Sequence, residues 1–320
     1  MQTRNSKLKT EIQRLTQELG SGQVADVRTS LNGSMAYVND LERSLERNQS
    51  YAKVAVEVQQ FAGNMQIALE HVGTVGTALS DTLLTSMTAV SGTMPDLVAG
   101  EARGGLDSMI AALNTSVGGR SLFGGTATDR PPLVQADALM SALSGAVAGA
   151  GSVDDIIAAA EAWFDDPAGF AAVAYQGSNT SLAAVAISDF EKAQFDVRAD
   201  DPALRDMLRT VALVAIADDP ALGLSGAERK DLYQKSTAPI LGAQASVIDL
   251  QARTGIAERL VETVSARNSA EHSALELARN SLMAADPYQA ATELEAVQFQ
   301  LQSIYAITSR MSQLSLVNFL

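Results

Sequence analysis

His71 and His272 are the only histidines in the 320-residue chain, and each follows a glutamate, Glu70 and Glu271. Two imidazoles with adjacent carboxylates could hold a metal or run general acid–base chemistry if the fold brought them together. The helical reading below puts His71 well along an outgoing helix and His272 near the end of a returning one. At ~1.5 Å of rise per residue that separates them by roughly 35 Å, so both read as solvated residues on helix faces. The glycine pairs Gly118-Gly119 and Gly124-Gly125 could cradle a phosphate, but no Lys-Ser/Thr follows them, and neither GxGxxG nor GxxxxGK[ST] occurs. Three Asp-Asp-Pro sites, at Asp166-Pro167, Asp201-Pro202 and Asp219-Pro220, lack the ligand spacing of an EF-hand loop. They read as helix caps, with Asp accepting from free N–H groups and Pro in the first turn. GxSxG and HExxH are absent, and with no cysteine there is no thiolate nucleophile, disulfide or Cys-based metal site. No catalytic, cofactor or metal residue is assigned, and the chain reads as non-enzymatic.

The formal charge of −14 and a pI near 4.6 produce a field that repels phosphate backbones and anionic head groups, so nucleic acid and membrane surfaces are poor partners. Hydrophobic residues make up 47% of the chain, enough for a real core, but aromatics only 5%. That balance fits closely packed helices better than an aromatic-lined cleft. The longest apolar run, Val211 to Ala217, is far short of the roughly 20 residues a membrane helix requires. Residues 1–10 carry positive charge without an apolar stretch behind it, so export, if it occurs, leaves the N-terminus uncut.

Elements follow from periodicity. Leu8, Ile12, Leu15 and Leu19 recur at 4,3,4 spacing in a first helix over about Thr3 to Leu19, which stops at Gly20-Ser21-Gly22. At the other end Asp286-Pro287-Tyr288-Gln289 opens a helix with a capping-box pattern. Its apolar positions Leu294, Val297, Leu301, Ile304 and Met311 form a second seam. Two helices this short have little of their own to bury against, so these nine residues are the candidate subunit interface. Between them, Met35 to Thr88 reads as one long helix with the seam Val54, Val58, Phe61, Met65, Ala68, Val72, Val75 and Leu79 turned to a private core. Pro95 and Gly104-Gly105 interrupt it, Leu106 to Val117 makes a short helix, and Gly118 to Pro132 reads as hairpin and turn. Leu133 to about Lys235 reads as an inserted mixed α/β segment, and Ser236 to Ala285 as a second long helix with Gly255 its weak point.

The expected fold is mainly α: an elongated out-and-back helical rod with a terminal coiled coil, a β-hairpin and an inserted small α/β domain. The expected domains are a terminal coiled coil (1–32 and 285–320), a helical rod (33–134 and 236–284, with the hairpin near 118–134) and the variable α/β insertion (135–235).

Three segments resemble the flagellin family. Leu15-Thr-Gln-Glu-Leu-Gly-Ser-Gly22 is similar to its N-terminal signature, in which a leucine-bearing helix ends at Ser-Gly. Gly119-Arg-Ser-Leu-Phe-Gly-Gly125 is similar to its hairpin segment, and Met311-Ser-Gln-Leu-Ser-Leu-Val-Asn-Phe-Leu320 to the close of its hook-associated branch. The resemblance covers the two ends and the hairpin, and the middle is the part that varies in this family. The family also carries a further stretch before the first helix, read by the type III export gate, whereas here Ser21-Gly22 comes earlier. The resemblance implies a non-enzymatic subunit of the bacterial flagellum at the hook–filament junction, outside the cell. Its implied partners are hook-associated protein 1, flagellin, copies of itself in a ring, and the flagellar export chaperone and export apparatus. A self-polymerising filament flagellin is the alternative within the family. A cytoplasmic coiled-coil binding module is the alternative outside it.

Overall fold

The computed structural model describes residues 2–30, 35–88 and 94–317. The expected domain boundary at 32/33 and the closing Asn318-Phe319-Leu320 lie outside them. In chain order the elements are α1 (Gln2–Ser21), α2 (Val27–Ser30), α3 (Ala36–Thr88), α4 (Met94–Leu113), β1 (Ser116–Val117), β2 (Arg120–Ser121), α5 (Ala136–Val147), α6 (Val153–Asp165), α7 (Phe170–Val173), β3 (Val185–Ala186), β4 (Lys192–Ala193), α8 (Pro202–Ala215), α9 (Gly226–Met283) and α10 (Pro287–Val317). The chain is mainly α, with two antiparallel hairpins, β1–β2 and β3–β4. Its residues fall into two compact units: Met1–Ser50 with Arg267–Leu320, and Tyr51–Ala266.

In the second unit the α3 seam is buried as its spacing predicts: Met65, Val72 and Leu79 are closed off from solvent, joined by Ala62, Leu69 and Leu83. Phe61 is only partly buried, in a tilted pair with Phe195 at 6.0 Å between ring centroids. α4 adds Val98, Ala102, Leu106, Met109, Ile110 and Leu113 to the same core, and α8 with the turn after it adds every residue from Leu213 to Ala217. A helix buried on all sides reads as a continuous apolar run, which accounts for the run at Val211 to Ala217.

Gly104-Gly105 does not interrupt α4, which passes straight through the pair. A β-carbon at Gly105 would sit 2.8 Å from Cγ1 of Val75, and one at Gly76 would sit 2.7 Å from Cε of Met207. At Gly105 the neighbour is a branched, stiff side chain, so glycine there lets α4 approach α3 at a cost of ~1 kcal/mol inside the helix, whereas at Gly76 the neighbour is the flexible end of Met207 and can yield.

The segment expected to be mixed α/β contains α5 to α8 and one hairpin of two rungs, Val185 opposite Ala193 and Ala186 opposite Lys192. Its larger apolar residues, Leu139, Leu143, Ile156, Phe164 and Phe170 among them, join the core that α3 and α4 supply. A smaller cluster of Ala55, Val58, Ile187, Ala193, Val261 and Val264 lies beside it.

Helix starts differ from expectation for local reasons. α9 begins at Gly226, ten residues before Ser236, because Ser225 and Glu228 form a reciprocal cap: the Glu228 carboxylate accepts from Ser225 N at 2.8 Å and Ser225 Oγ accepts from Glu228 N at 3.3 Å. The helix then runs on through Pro239. Asp201 does cap α8, accepting from Ala203 N at 3.1 Å. Asp166 and Asp219 close turns instead, accepting from Ala168 N at 2.8 Å and Ala221 N at 2.9 Å with no helix following directly. The β1–β2 hairpin turns on Gly118 and Gly119, whose φ values of +59° and +78° suit the two-residue hairpin turn predicted there.

Met65 is fully enclosed in this core, so Met65→Ala should destabilise the second unit by about 2–5 kcal/mol. Chemical denaturation followed by the single tryptophan, Trp163, reads this directly. An unchanged midpoint would mean that the α3 seam is not packed as described.

Candidate subunit interface at the chain ends

The first unit is organised around the contact between α1 and α10. α1 ends where Gly22 takes a φ of +69° and its N–H caps Glu18 O at 2.8 Å, the left-handed close that glycine supplies most cheaply. The chain then runs beside the end of α9. Gln23 and Ala284 form an antiparallel bridge, Val24 N donates to Met283 O at 2.9 Å, and Ala285 N donates to Gly22 O at 3.0 Å. Asp286 opens α10 by accepting from Tyr288 N at 2.8 Å and Gln289 N at 3.2 Å. The capping box is half made, because the Gln289 amide turns forward to Glu293 at 2.9 Å instead of back to the cap.

Charge locks this corner. Arg14 reaches Glu11 at 2.5 Å and Glu18 at 2.7 Å on its own helix and Glu293 of α10 at 3.8 Å. Glu18 is nearly closed off from solvent and spends the same carboxylate oxygen on Ala25 N at 2.9 Å. The Arg14 hydrogen bond holds the Glu11 carboxyl below its ordinary value of 4.5, and the guanidinium itself is held more firmly protonated by Glu11 and Glu18. The resulting cleft of about 630 Å³ is lined by Glu11, Glu18, Asp26, Asp286 and Glu293, with Arg14 its single cation among the described residues.

Of the nine candidate interface residues, Leu15 is 1% exposed. Leu8, Ile12, Leu294, Val297, Leu301 and Ile304 are partly buried, and Leu19 and Met311 stand in solvent. The two seams thus lie on helices that pack against each other within one chain, and the covering is incomplete. α10 also presents an apolar face that the spacing argument missed: Tyr288 is 82% exposed, Phe299 71% and Ile307 54%. At 100° per residue Tyr288 and Phe299 lie on the side of α10 away from the Leu294–Ile304 seam, and Ile307 lies on the flank between. The signal was available, since Tyr288 and Phe299 are three turns apart, but the stronger 3,4 seam masked it.

His71 Nε2 is hydrogen-bonded with Ser108 Oγ, and His272 Nε2 lies 3.5 Å from Glu276. Among the described residues no group of three His, Asp or Glu side chains is placed to hold a metal ion.

Leu15 is the enclosed anchor of α1, so Leu15→Ala should loosen α1 while the second unit keeps its denaturation midpoint. A spin label on Lys7→Cys, in a chain with no other cysteine, should gain mobility in the variant; equal mobility would contradict the pairing. Glu11 is depressed, so its contribution is complete above pH 4.5 and lost as the pH falls through its lower folded value. Label mobility should therefore rise on acidification below pH 4.5, and less so in Glu11→Gln.

Residues 239–320, covering most of α9 and all of α10, match the family of the bacterial flagellin C-terminal helical region. Comparison with curated proteins finds no match. Among solved structures the chain is similar to one described as "putative flagellar hook-associated protein from Vibrio parahaemolyticus", at 13% identity and a TM-score of 0.53, over 78% of this chain and 97% of that one. At that identity the likeness is one of fold. The likeness to the flagellin C-terminal helical region is thus confined to residues 239–320, the stretch that forms most of α9 and all of α10.

Proposed function

We propose that this protein is a structural subunit of the bacterial flagellum, and specifically an adapter of the hook-associated protein 3 type that joins hook-associated protein 1 to the first flagellin layer. The observation that carries the reading is α10: a helix in the region that matches the flagellin C-terminus, paired with α1 along one side, with Tyr288 and Phe299 in solvent on the other and Ile307 exposed at its flank. Exposed aromatic and aliphatic side chains grouped on one helix face mark a surface built for a partner. The partners in this reading are hook-associated protein 1, flagellin, further copies in a ring, and the export chaperone and export apparatus that deliver the chain outside the cell. The nine seam residues from Leu8 to Met311 serve the terminal coiled coil, within the subunit and between neighbours. No helix is long and apolar enough to cross a membrane among the described residues.

The flagellin match also favours a second reading, a filament flagellin that polymerises with itself. Purified chain that elongates filament seeds indefinitely supports that reading, and chain that terminates after one layer supports the adapter.

Leu301→Asp combined with Ile304→Asp puts two charges into the α10 seam, at a cost of several kcal/mol where the site is dry. In cells lacking the native gene the double variant should be produced and leave hooks intact, yet carry no filament and release flagellin into the medium. Normal filaments on such cells, with the variant shown to be incorporated, would remove these residues from the adapter role.

A further inference from the structure

Phe190 is 95% exposed, the most exposed large apolar side chain among the described residues. It stands at the tip of the β3–β4 hairpin, and the tip is rigidly built. Ile187 N and Ser188 N both donate to Glu191 O, at 3.0 and 3.3 Å. Ser188 Oγ accepts from Phe190 N at 3.2 Å and Glu191 N at 3.0 Å and bonds the Glu191 carboxylate. Ile187, three residues before Phe190, is fully buried beneath the hairpin, and Tyr51 on α3 donates to Asp189 at 2.9 Å. A turn tied down on both sides holds an aromatic ring in water at a fixed position with little entropy left to lose on binding, as an anchor residue does.

The same chain carries a receptor of matching character. An apolar groove of about 470 Å³ lies between α3, the β1–β2 hairpin and the base of the β3–β4 hairpin, lined by Val54, Phe61, Val117, Val185 and Phe195. Its charged lining residues are Glu57 and Arg120. Arg120 makes no ion pair among the described residues, while Asp189 and Glu191 flank Phe190. Phe190 does not enter its own chain's groove, as its exposure shows. An acid-flanked aromatic plug and an apolar groove with a free arginine at its edge are complementary in shape class and in charge, and this in a chain of net charge −14 that offers few cationic surfaces.

We propose that Phe190 of one copy docks in this groove of the next, a head-to-tail contact between identical chains with Arg120 facing the Asp189–Glu191 edge. A plug and groove on different parts of one surface give a heterologous contact, which closes a ring when the rotation per copy permits. One side chain in one groove is a small contact, so it engages when another interface has already raised the local concentration of copies. The contact deepens the ring reading above and rests on it for closure.

The test places the photoreactive phenylalanine analogue benzoylphenylalanine at position 190 in the full chain. This chain is mixed with isotopically heavy unsubstituted chain, both as concentrated purified protein and in cells making flagella. Heavy peptides spanning Val54–Phe61 or Val117–Arg120 should be the main cross-linked products, and Arg120→Glu in the heavy chain should lower their yield severalfold. Phe190→Ala should leave the thermal midpoint unchanged, because the ring touches little of its own chain. Cross-links to a different protein, or none between copies in either setting, overturn the proposal. Immunogold labelling of the same cells separates it from the adapter reading. Chain at the hook–filament junction without copy-to-copy cross-links leaves the adapter and removes this contact. Copy-to-copy cross-links with chain spread along the filament do the reverse.

Discussion

The short stretch of backbone pairing between residues 22–24 and 283–285 is the interaction on which the pairing of α1 with α10 depends. A 20-residue helix such as α1 is only marginally stable alone in water. It persists because the bonds at Gly22, Val24, Met283 and Ala285 deliver it against α10, where Leu15 is enclosed and Arg14 reaches Glu293. Without that corner, α1 would have no apolar partner in its own chain and α10 would show two apolar faces to solvent instead of one. Glu18 ties the electrostatic and backbone parts together, since one buried carboxylate serves both Arg14 and Ala25 N. Losing it would leave a guanidinium and an amide short of an acceptor at once.

The second unit solves a different problem, packing long helices with few aromatics. It does so with small residues at the crossings. Gly105 lets α4 approach the Val75 side chain of α3 to a distance a β-carbon would crowd, and the apolar C-terminal half of α8, Val211 to Ala215, is buried in the same core. Close packing of this kind resists deformation. The three-ring group of Trp163, Phe164 and Phe170, with centroids 5.0 to 6.2 Å apart, gathers three of the unit's ten aromatic residues at one place in the α6–α7 region.

Long-range periodicity made the large elements legible. The span of α3, the Gly118-Gly119 turn and the buried α3 seam all follow from spacing and residue type. What escaped was information held in tertiary contacts or in single local hydrogen bonds. Gly104-Gly105 looks like a break because a glycine pair carries no sign of the Val75 methyl that makes it useful inside α4. Asp166 and Asp219 look identical to Asp201, and only the chain that follows decides between turn and helix. The start of α9 was hidden because Ser225 and Glu228 are a weak signal beside the apolar positions further on. At the chain ends, the α1 and α10 seams were read from spacing as a candidate interface. That they cover each other within one chain, leaving Tyr288, Phe299 and Ile307 outward, required coordinates.

Imaging the chain in place tests the central claim most directly. Electron cryotomography of intact flagella, with the protein carrying a bulky tag in the exposed turn at Gly149, should show tag density as a single tier between hook and filament. Tag density repeating along the filament would identify a filament flagellin, and tag density absent from the flagellum altogether would contradict a flagellar role.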